Sequence, residues 1–492
     1  ELCAKGDFLY SGAKVMNDFT FDSATYTWAP VTGFVDDLDF DGGDFTITGL
    51  PNALFDVANG NIHNLKLNST VVLSDENAHH GLLANQFSGT VTDCEVSGSI
   101  EHTALKGTAD VAGVVGAAGG KLVFTNVANK ASVKATFVQD ATPKLAGILA
   151  TSSATGALEF INCSNSGSIV TVATSGVTTK FTYIGGIFGD VTNPEYVTMK
   201  GCANSGNITS NHDSAGITVG GLYAHNAAAP VSTELYNETT YNTNAGDITV
   251  NGTISGWIRF GGCIGHTDAS NTSAKYLKNL EGADLTINAL VNVGARIPFG
   301  GVIGHFNIAP STAEYCYNYG TVTYNGTMEH SGSTYYSPTV GGVIGYTNQT
   351  GHSYKNLHNH GAVSCTSTQT FKRFKIAGVI AYLESGSPTI EDCSNNVDLT
   401  LSGNSGHTFY GGGVLGHVEK ANAVLKNLTN NNKITFEGTA AHITYIGGVV
   451  GDVQDATAKC SNLVNNGEVI NKRTTSQNLY LGGVAGRISG TI

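Results

Sequence analysis

The sequence predicts an all-β protein, a right-handed parallel β-helix (β-solenoid) of about 13 coils with about 37 residues per repeat. Two motifs that recur together along the chain predict this fold. A third observation agrees with them, because the segments between the motifs are rich in Thr, Val, Ile and Tyr and lack a sustained helical period.

The first motif has the pattern small-Gly-apolar-apolar-small. Its glycine advances from Gly113 to Gly483 in ten steps, a mean period of 37 residues (370/10). Two degenerate copies, around Leu54 and Leu82, extend the array toward the N-terminus. The complete copies begin at Ala112, Ala146, Gly185, Gly220, Gly261, Gly300, Gly341, Ala377, Gly412, Gly447 and Gly482.

We interpret each copy of this motif as a strand whose alternate positions face opposite ways. One face is then small, and the other carries an apolar column that must be buried. Two covers are open: another strand of the same coil, or a neighbouring molecule in a fibre. The column comprises Ile264, Ile303, Ile344, Ile380, Leu415 and Val450.

The second motif is Asn-x-Gly-x-Ile/Val, as in Asn165 to Ile169 and Asn318 to Val322. Asn and Gly tolerate positive φ, so we interpret the motif as a turn between two strands. In one copy Asn432 replaces the glycine, which fits a left-handed turn because Asn is the next most tolerant residue.

Six of the nine cysteines occupy a single repeat position, where other copies have Leu280, Leu357 or Leu428. A position that accepts either residue type predicts a buried packing thiol, not a disulfide or a metal ligand. The six are Cys94, Cys163, Cys202, Cys316, Cys393 and Cys460.

Two segments are predicted. Residues 1–50 form the first strands and the N-terminal cap of the solenoid, and residues 51–492 form the repeat array, open at its C-terminal end. Because solenoids need capped ends, we expect the chain to be a segment of a longer protein or to be capped by another copy of itself. Any export signal is expected to lie upstream of Glu1 or to have been removed.

The composition argues against two classes of partner. Asp and Glu number 38 against 25 Lys and Arg, a net charge of −13, and no basic stripe is present to neutralise phosphates. Nucleic acid is therefore not expected as a partner. No membrane span is predicted either, since no apolar run approaches the roughly 18 residues of a membrane helix.

The order of the motifs, together with an opening segment that runs from Trp28 through Phe40 to Leu50, resembles the GLUG-motif β-helix repeats of large surface proteins in Bacteroidales-type bacteria. The similarity covers essentially the whole chain. It implies an extracellular or cell-surface, bacterial location and a role as an adhesin or stalk, and it says little about activity.

We therefore expect a non-catalytic structural or adhesive protein. Its rod would present binding faces to host or bacterial surface glycans or proteins, with self-association end to end into a fibre. Catalysis is not expected, because the carboxylates are scattered and most, such as Asp190 and Asp452, are predicted in turns.

The alternative function is that of a carbohydrate-active enzyme or a carbohydrate-binding arm on the same scaffold. Its sugar platform would be an exposed set of aromatic residues. The candidates are Trp257, Tyr335, Tyr336, Phe409 and Tyr410.

Two patterns are candidate metal sites, and no other cofactor is predicted. Asp37, Asp39 and Asp41 match the first half of a calcium-binding loop, because alternate carboxylates can converge on Ca²⁺. The twelfth position is Thr48 instead of glutamate, so a solvated acidic strand face is the alternative.

The second candidate site is a ladder. The residue that follows the glycine motif is Asp190, His225, His266 and His305 in four successive copies. Equivalent residues of stacked coils lie about 4.8 Å apart, so this ladder could bind a transition metal or respond to pH. Other copies place tyrosine or arginine there, which favours an exposed corner instead.

Overall fold

The computed structural model describes residues 12–32, 38–75, 78–107, 109–227, 230–291, 296–308, 310–328, 338–367, 370–440, 442–473 and 478–491. Within these ranges every regular element is a β-strand. They contain no helix long and apolar enough to cross a membrane. Parallel stacked strands form a β-solenoid of about 11 turns, which confirms the predicted fold class and comes close to the predicted number of coils.

The chain divides into two compact units. Unit 1 comprises the described residues up to Asp213 together with Leu222–Asn242, and unit 2 comprises Ser214–Gly221 and the described residues from Thr243 onward. Coils of both units share one plan. A strand of wall A ends at the glycine motif, wall B follows it, and wall C follows the asparagine motif.

The strands of unit 1 begin with four that precede the first complete coil, Gly12–Lys14, Phe19–Thr20, Leu38–Asp41 and Thr46–Thr48. Wall A comprises His79–Gly81, Asp110–Ala112, Lys144–Ala146 and Thr178–Gly185. Wall B comprises Phe55–His63, Ala84–Thr92, Val115–Thr125, Leu149–Ser152, Leu158–Ile161, Phe188–Val191, Val197–Lys200, Tyr223–Asn226 and Val231–Glu234. Short strands at the asparagine motif are Ala128–Asn129, Ser164–Asn165 and Ala203–Asn204, and wall C comprises Lys66–Leu73, Glu95–Gly107, Ser132–Ala141, Ile169–Ala173 and Ile208–Asn211.

In unit 2, wall A comprises Asp213–Gly220 (all but its first residue), Ile258–Gly261, Ile297–Gly300, Pro338–Gly341, Thr370–Ala377, Asn404–Gly412, Ile443–Gly447 and Asn478–Gly482, with the short strands Thr253–Ile254, Leu290–Val291, Thr327–Met328 and Thr439–Ala440 before it. Wall B comprises Ile264–Thr267, Ile303–Phe306, Ile344–Thr347, Ile380–Gly386, Leu415–Ala421, Val450–Val453 and Ala485–Ile488. It continues as Ser273–Asn279, Thr312–Asn318, Ser353–Asn359, Thr389–Glu391, Ser394–Asn395, Val424–Asn430 and Lys459–Asn465, and Asn242–Asn244 occupies the same place in an earlier coil. Wall C comprises Ile248–Asn251, Leu285–Ile287, Val322–Tyr324, Val363–Cys365, Leu399–Leu401, Ile434–Phe436 and Val469–Asn471.

The pairing register follows the sequence repeat. Gly300 pairs with Gly341 in wall A, and Ile303 pairs with Ile344 in wall B. One sequence repeat therefore makes one coil, and equivalent positions stack directly on each other.

The glycine motif is a corner between two strands, so our interpretation of it as a strand is wrong. Gly341 ends wall A, Gly342 and Val343 bend the chain, and Ile344 begins wall B. A Cβ atom on Gly342 would lie closer to the carbonyl oxygen of Gly378 and to the side chain of Asn359 than the 3.0 Å that real Cβ contacts respect. The corner needs glycine for space, because the backbone of the next coil passes against it.

The apolar column of this motif lies at the start of the wall B strands. All six of its residues, from Ile264 to Val450, are buried within the chain itself. The cover is therefore supplied by the same chain, as the first of the two alternatives predicted.

The second motif ends one strand and starts the next, as predicted, and its asparagine is the buried last residue of the first strand. The left-handed conformation predicted for it is wrong. Asn318 and Asn359 are fully buried and do not have a positive φ. Gly361 of the same motif also lacks a positive φ. The position requires glycine for space, because a Cβ atom would strike the carbonyl oxygen of Gly320. The left-handed residue instead precedes the cysteine position, as at Asp392 with φ 56°.

These buried asparagines form a hydrogen-bonded ladder in each unit. Within each unit, Nδ2 of every asparagine before the last donates to Oδ1 of the asparagine in the next coil at 2.7 to 3.0 Å, and also to a backbone carbonyl of its own turn. The asparagine side chain thus satisfies the hydrogen-bonding capacity of its own amide group and of a backbone carbonyl in the turn, both inside the coil. The ladder comprises Asn129, Asn165 and Asn204 in unit 1, and Asn244, Asn279, Asn318, Asn359, Asn395, Asn430 and Asn465 in unit 2.

The cysteines of the described ranges are all free and buried, which confirms the prediction of packing thiols. The alignment of this position is wrong in two copies. Leu277, not Leu280, occupies the same position as Cys316, an error of three residues. Cys460 pairs with Leu425, and Leu463 pairs with Leu428, so Cys460 does not share the position of the other five cysteines. Burial raises the pKa of the Cys94 and Cys316 thiols to about 12.

We expect these thiols to resist alkylation in the folded chain. The thiolate is the reactive form, and both burial and the raised pKa suppress it at Cys316 and Cys393. Peptide mass spectrometry after iodoacetamide treatment at mildly alkaline pH should find both residues unmodified when folded and modified in concentrated guanidinium chloride. Modification of Cys316 in the folded chain would contradict its placement in the interior.

Candidate functional site

Two columns of side chains face each other across the glycine corner, and we call them the corner columns. The wall A column lies two residues before the motif, and the wall B column lies directly after it. In unit 2 the wall A column includes Pro298, Thr339, Lys375, Tyr410 and Tyr445, in mutual register. The wall B column includes His305, Tyr346, Tyr382, His417 and Asp452, also in register.

The two columns touch. The Nζ atom of Lys375 lies 3.9 Å from the ring centre of Tyr382, and the rings of Tyr410 and His417 stack with centres 3.9 Å apart. The wall B column is consequently buried, with Asp452 fully inaccessible to solvent. Our interpretation of this position as an exposed corner is therefore wrong, because wall A covers it.

The predicted histidine ladder belongs to the wall B column. In unit 1, Asp190 and His225 are in register, with Oδ1 and Nδ1 2.8 Å apart, and Lys144 of wall A places its Nζ 3.6 Å from the same carboxylate. In unit 2, the rings of His266 and His305 stack with centres 4.6 Å apart. Each pair has the stacked arrangement that the repeat predicts, and metal binding by the ladder stays a prediction.

The candidate calcium residues lie at the start of unit 1, where Asp37 falls outside the described residues. Asp41 pairs with Lys14 at 2.7 Å, and this contact holds the pKa of the carboxyl group well below its usual range. Asp39 lies 3.1 Å from Nε2 of His63. Both described carboxylates thus have cationic or polar neighbours, and calcium binding stays a prediction.

A further group of metal-ligating types, which sequence reasoning missed, lies in unit 1. Asp75, His80 and His102 each place one ligand atom within 4.8 Å of the others. Burial lowers the pKa of His102, which keeps its imidazole neutral, the form that binds metals. No simple spacing reveals this group, because its members come from neighbouring coils.

The most elaborate site of unit 2 is a cavity of about 170 Å³ beside the corner columns, which we call the Lys375 pocket. It lies over strands of both walls and contains cations, carboxylates and phenols. The lining residues are Arg296, Pro298, Thr339, Tyr346, Arg373, Lys375, Tyr382, Glu384, Glu419 and Lys420.

Hydrogen bonds fix the polar groups of this pocket. The phenol of Tyr346 donates to Glu384, and that of Tyr382 donates to Glu419. Arg296 binds Glu384 with two nitrogens, at 3.2 and 3.4 Å. Burial and the neighbouring carboxylates raise the pKa of both tyrosines, so both phenols remain donors at neutral pH.

Lys375 is the most unusual group in the pocket, since its side chain is 95% buried. Its Nζ lies over the ring of Tyr382 and 5.9 Å from the ring centre of Tyr410. Burial is the largest influence on the amine, and it lowers the pKa of Lys375 to about 7. The amine is therefore about half protonated near neutral pH.

Sequence reasoning missed this pocket. Asp190 and Asp452 are buried strand residues and do not lie in turns as predicted, and two other carboxylates, Glu384 and Glu419, meet in the pocket. The charge of Lys375, two residues before the motif, could not single the pocket out, because Asp110, Lys144 and Arg259 occupy the equivalent position in other copies.

The chain has no match among protein-family models, curated proteins or solved structures. Its resemblance to GLUG-motif proteins thus rests on the order of the sequence motifs alone.

The predicted aromatic sugar platform is wrong for two of its three described residues. Phe409 and Tyr410 are buried, and Trp257 is partly covered by His305, with ring centres 5.7 Å apart. Tyr335 and Tyr336 lie outside the described residues. The phenols of Tyr346 and Tyr382 line the Lys375 pocket instead.

Proposed function

We propose that this chain is a non-catalytic surface protein of a bacterium, exported from the cell, whose β-solenoid presents the Lys375 pocket as a carbohydrate-binding site. The observation that carries the proposal is the chemistry of the pocket, where paired phenols, glutamates and cations surround one cavity. Carboxylates accept hydrogen bonds from sugar hydroxyl groups, and cations donate to sugar oxygens.

A second consideration supports a binding role. The glycine corners and the asparagine ladder, which help to hold the fold, involve side chains other than those of the pocket. The pocket residues can thus vary without loss of the scaffold, which is the usual arrangement of a binding site on a repeat protein.

A glycan array with the full chain tests the proposal. We expect a defined class of glycan to be retained, and we expect Tyr382→Ala to weaken its binding at least tenfold, since that phenol borders the cavity. Tyr315→Ala is the matched control, because Tyr315 stacks on Tyr276 away from the pocket and should bind glycan as the parent does. Equal losses in both variants, or no glycan bound by the parent, would reject the proposed binding site.

Self-association end to end remains part of the proposal. Negative-stain electron microscopy over a concentration series, with light scattering, should reveal filaments of regular width. Single particles at every concentration would remove this part and leave glycan binding standing.

A second candidate function, a carbohydrate-active enzyme, is favoured by one observation. Lys375 with a pKa of about 7 is poised as a general base, and Glu384 and Glu419 lie in the same cavity. Incubation with a panel of polysaccharides, followed by assays for new reducing ends and for unsaturated products, distinguishes this function. Turnover lost in Lys375→Met would replace the binding proposal with catalysis.

A further inference from the structure

The Lys375 pocket carries a surplus of positive charge in an acidic protein. Four cationic side chains, Arg296, Arg373, Lys375 and Lys420, line it with two carboxylates, whereas the whole chain has a net charge of −13. A local reversal of charge of this kind attracts anions to a concave site.

The cations differ in how they are neutralised. Arg296 is paired with Glu384, whose other bond comes from the phenol of Tyr346. Glu419 accepts the phenol of Tyr382. Within the described part of the chain, Lys375 forms no ion pair with a carboxylate, although it is almost wholly buried. The rings of Tyr382 and Tyr410 lie beside the amine, and Glu419 and Glu384 act on it without forming an ion pair.

A buried ammonium group without a carboxylate partner is costly, and a bound anion would remove that cost. The cavity measures about 170 Å³, on the order of five water molecules by liquid volume, which suits one small anion or a single sugar residue. Lys375 lines this cavity, so an anion that enters it can reach the amine.

We infer that the Lys375 pocket binds the carboxylate group of an acidic sugar, such as a uronate residue of a glycan, with Lys375 as the principal anion contact. The inference rests on the proposed carbohydrate-binding function and names its ligand class. Glu384 and Glu419 distinguish a sugar acid from an inorganic anion, because they accept hydrogen bonds from hydroxyl groups and repel a bare anion.

Binding of this kind depends on pH with a definite sign. A carboxylate favours the protonated amine, so above pH 7 complex formation requires uptake of a proton by Lys375. Affinity should therefore be nearly constant from about pH 6 to 7 and fall by up to about tenfold per pH unit above that range.

Charged and titratable groups surround the amine. The charged neighbours are the glutamates Glu384 and Glu419 and the arginines Arg296 and Arg373. Burial raises the pKa of Tyr410 to about 12, and burial together with Lys375 lowers that of His417 well below 6.5. Neither of these two neighbours titrates between pH 6 and 9.

Isothermal titration calorimetry with the full chain tests the inference. The probes are short oligomers containing glucuronate, galacturonate or sialic acid, each beside its methyl ester, and inorganic phosphate. At least one acid should bind at least tenfold more tightly than its ester, and Lys375→Met should abolish both the preference and its pH dependence. Lys426→Met is the matched control, since Lys426 is exposed and pairs with Glu391, and it should behave as the parent.

Each other outcome overturns the inference. Equal binding of acid and ester would leave the carbohydrate-binding function standing and reject the carboxylate contact, and phosphate binding as tight as the best acid would indicate a general anion site. Binding of none of the acids, while the glycan array finds a neutral ligand, would also reject the inference alone. A circular dichroism spectrum identical to that of the parent establishes that Lys375→Met is folded.

Discussion

Gly342→Ala should destabilise unit 2 by about 3 kcal/mol or more, the upper range for overpacking against a rigid neighbour. The added methyl group would strike both the carbonyl oxygen of Gly378 and the side chain of Asn359. Neither neighbour can withdraw easily, because one is backbone and the other is a rung of the asparagine ladder. Thermal unfolding monitored by circular dichroism, with limited proteolysis to locate the damage, measures the effect.

The repeat supplies a matched control at the same motif position. Gly483 has nothing within 4 Å of the position where its Cβ would lie. Gly483→Ala should therefore change the free energy of unfolding by roughly 0.5 kcal/mol or less, the usual range for a surface substitution. Similar losses in the two variants would mean that glycine is needed for backbone conformation and not for space.

Asn318→Ala is expected to cost about 2 to 4 kcal/mol, since unsatisfied buried polar groups cost about 1 to 3 kcal/mol each. The substitution leaves Nδ2 of Asn279 without its acceptor and both Oδ1 of Asn359 and the carbonyl of Gly320 without their donor. Chemical denaturation of the variant and the parent, followed by circular dichroism, gives the difference.

An exposed asparagine ladder on the same unit separates burial from hydrogen bonding. Asn431 bonds to Asn396 at 2.7 Å and accepts from Asn466 at 2.9 Å, the same geometry in contact with water. Asn431→Ala should cost less than about 1 kcal/mol, because water replaces both bonds. If the two alanine variants were equally stable, the buried ladder would not be a source of stability.

Parts of the candidate site could be predicted from the sequence and parts could not. The repeat alone aligned Asp190 with His225 and His266 with His305, because residues at equal positions of successive repeats stack. It could not reveal that this column is buried. The wall B column is buried because the wall A column covers it across the corner. Because we interpret the glycine motif as a straight strand, this corner and its cover could not be predicted.

The asparagine motif illustrates a second limit. Asn and Gly are typical of left-handed turns, and that preference is real at Asp392 and Asn427, which do have positive φ. At Asn318 the same residue type is used for its amide group, which bonds to the next coil. Local propensity cannot separate these uses, because the bonding partner lies a whole repeat away in the chain.

The sequence by itself determined the all-β class, the repeat length and the burial of the cysteine position, because each follows from a pattern within one repeat or between equal positions of neighbouring repeats. The tertiary structure alone decided which columns face each other. Lys375 and Glu384 lie on the two sides of one glycine corner and Arg296 lies two coils before them, and they meet only because the chain bends at each corner. The repeat period determines the coil to which a residue belongs. The bend between the walls determines which residues contact it across the corner.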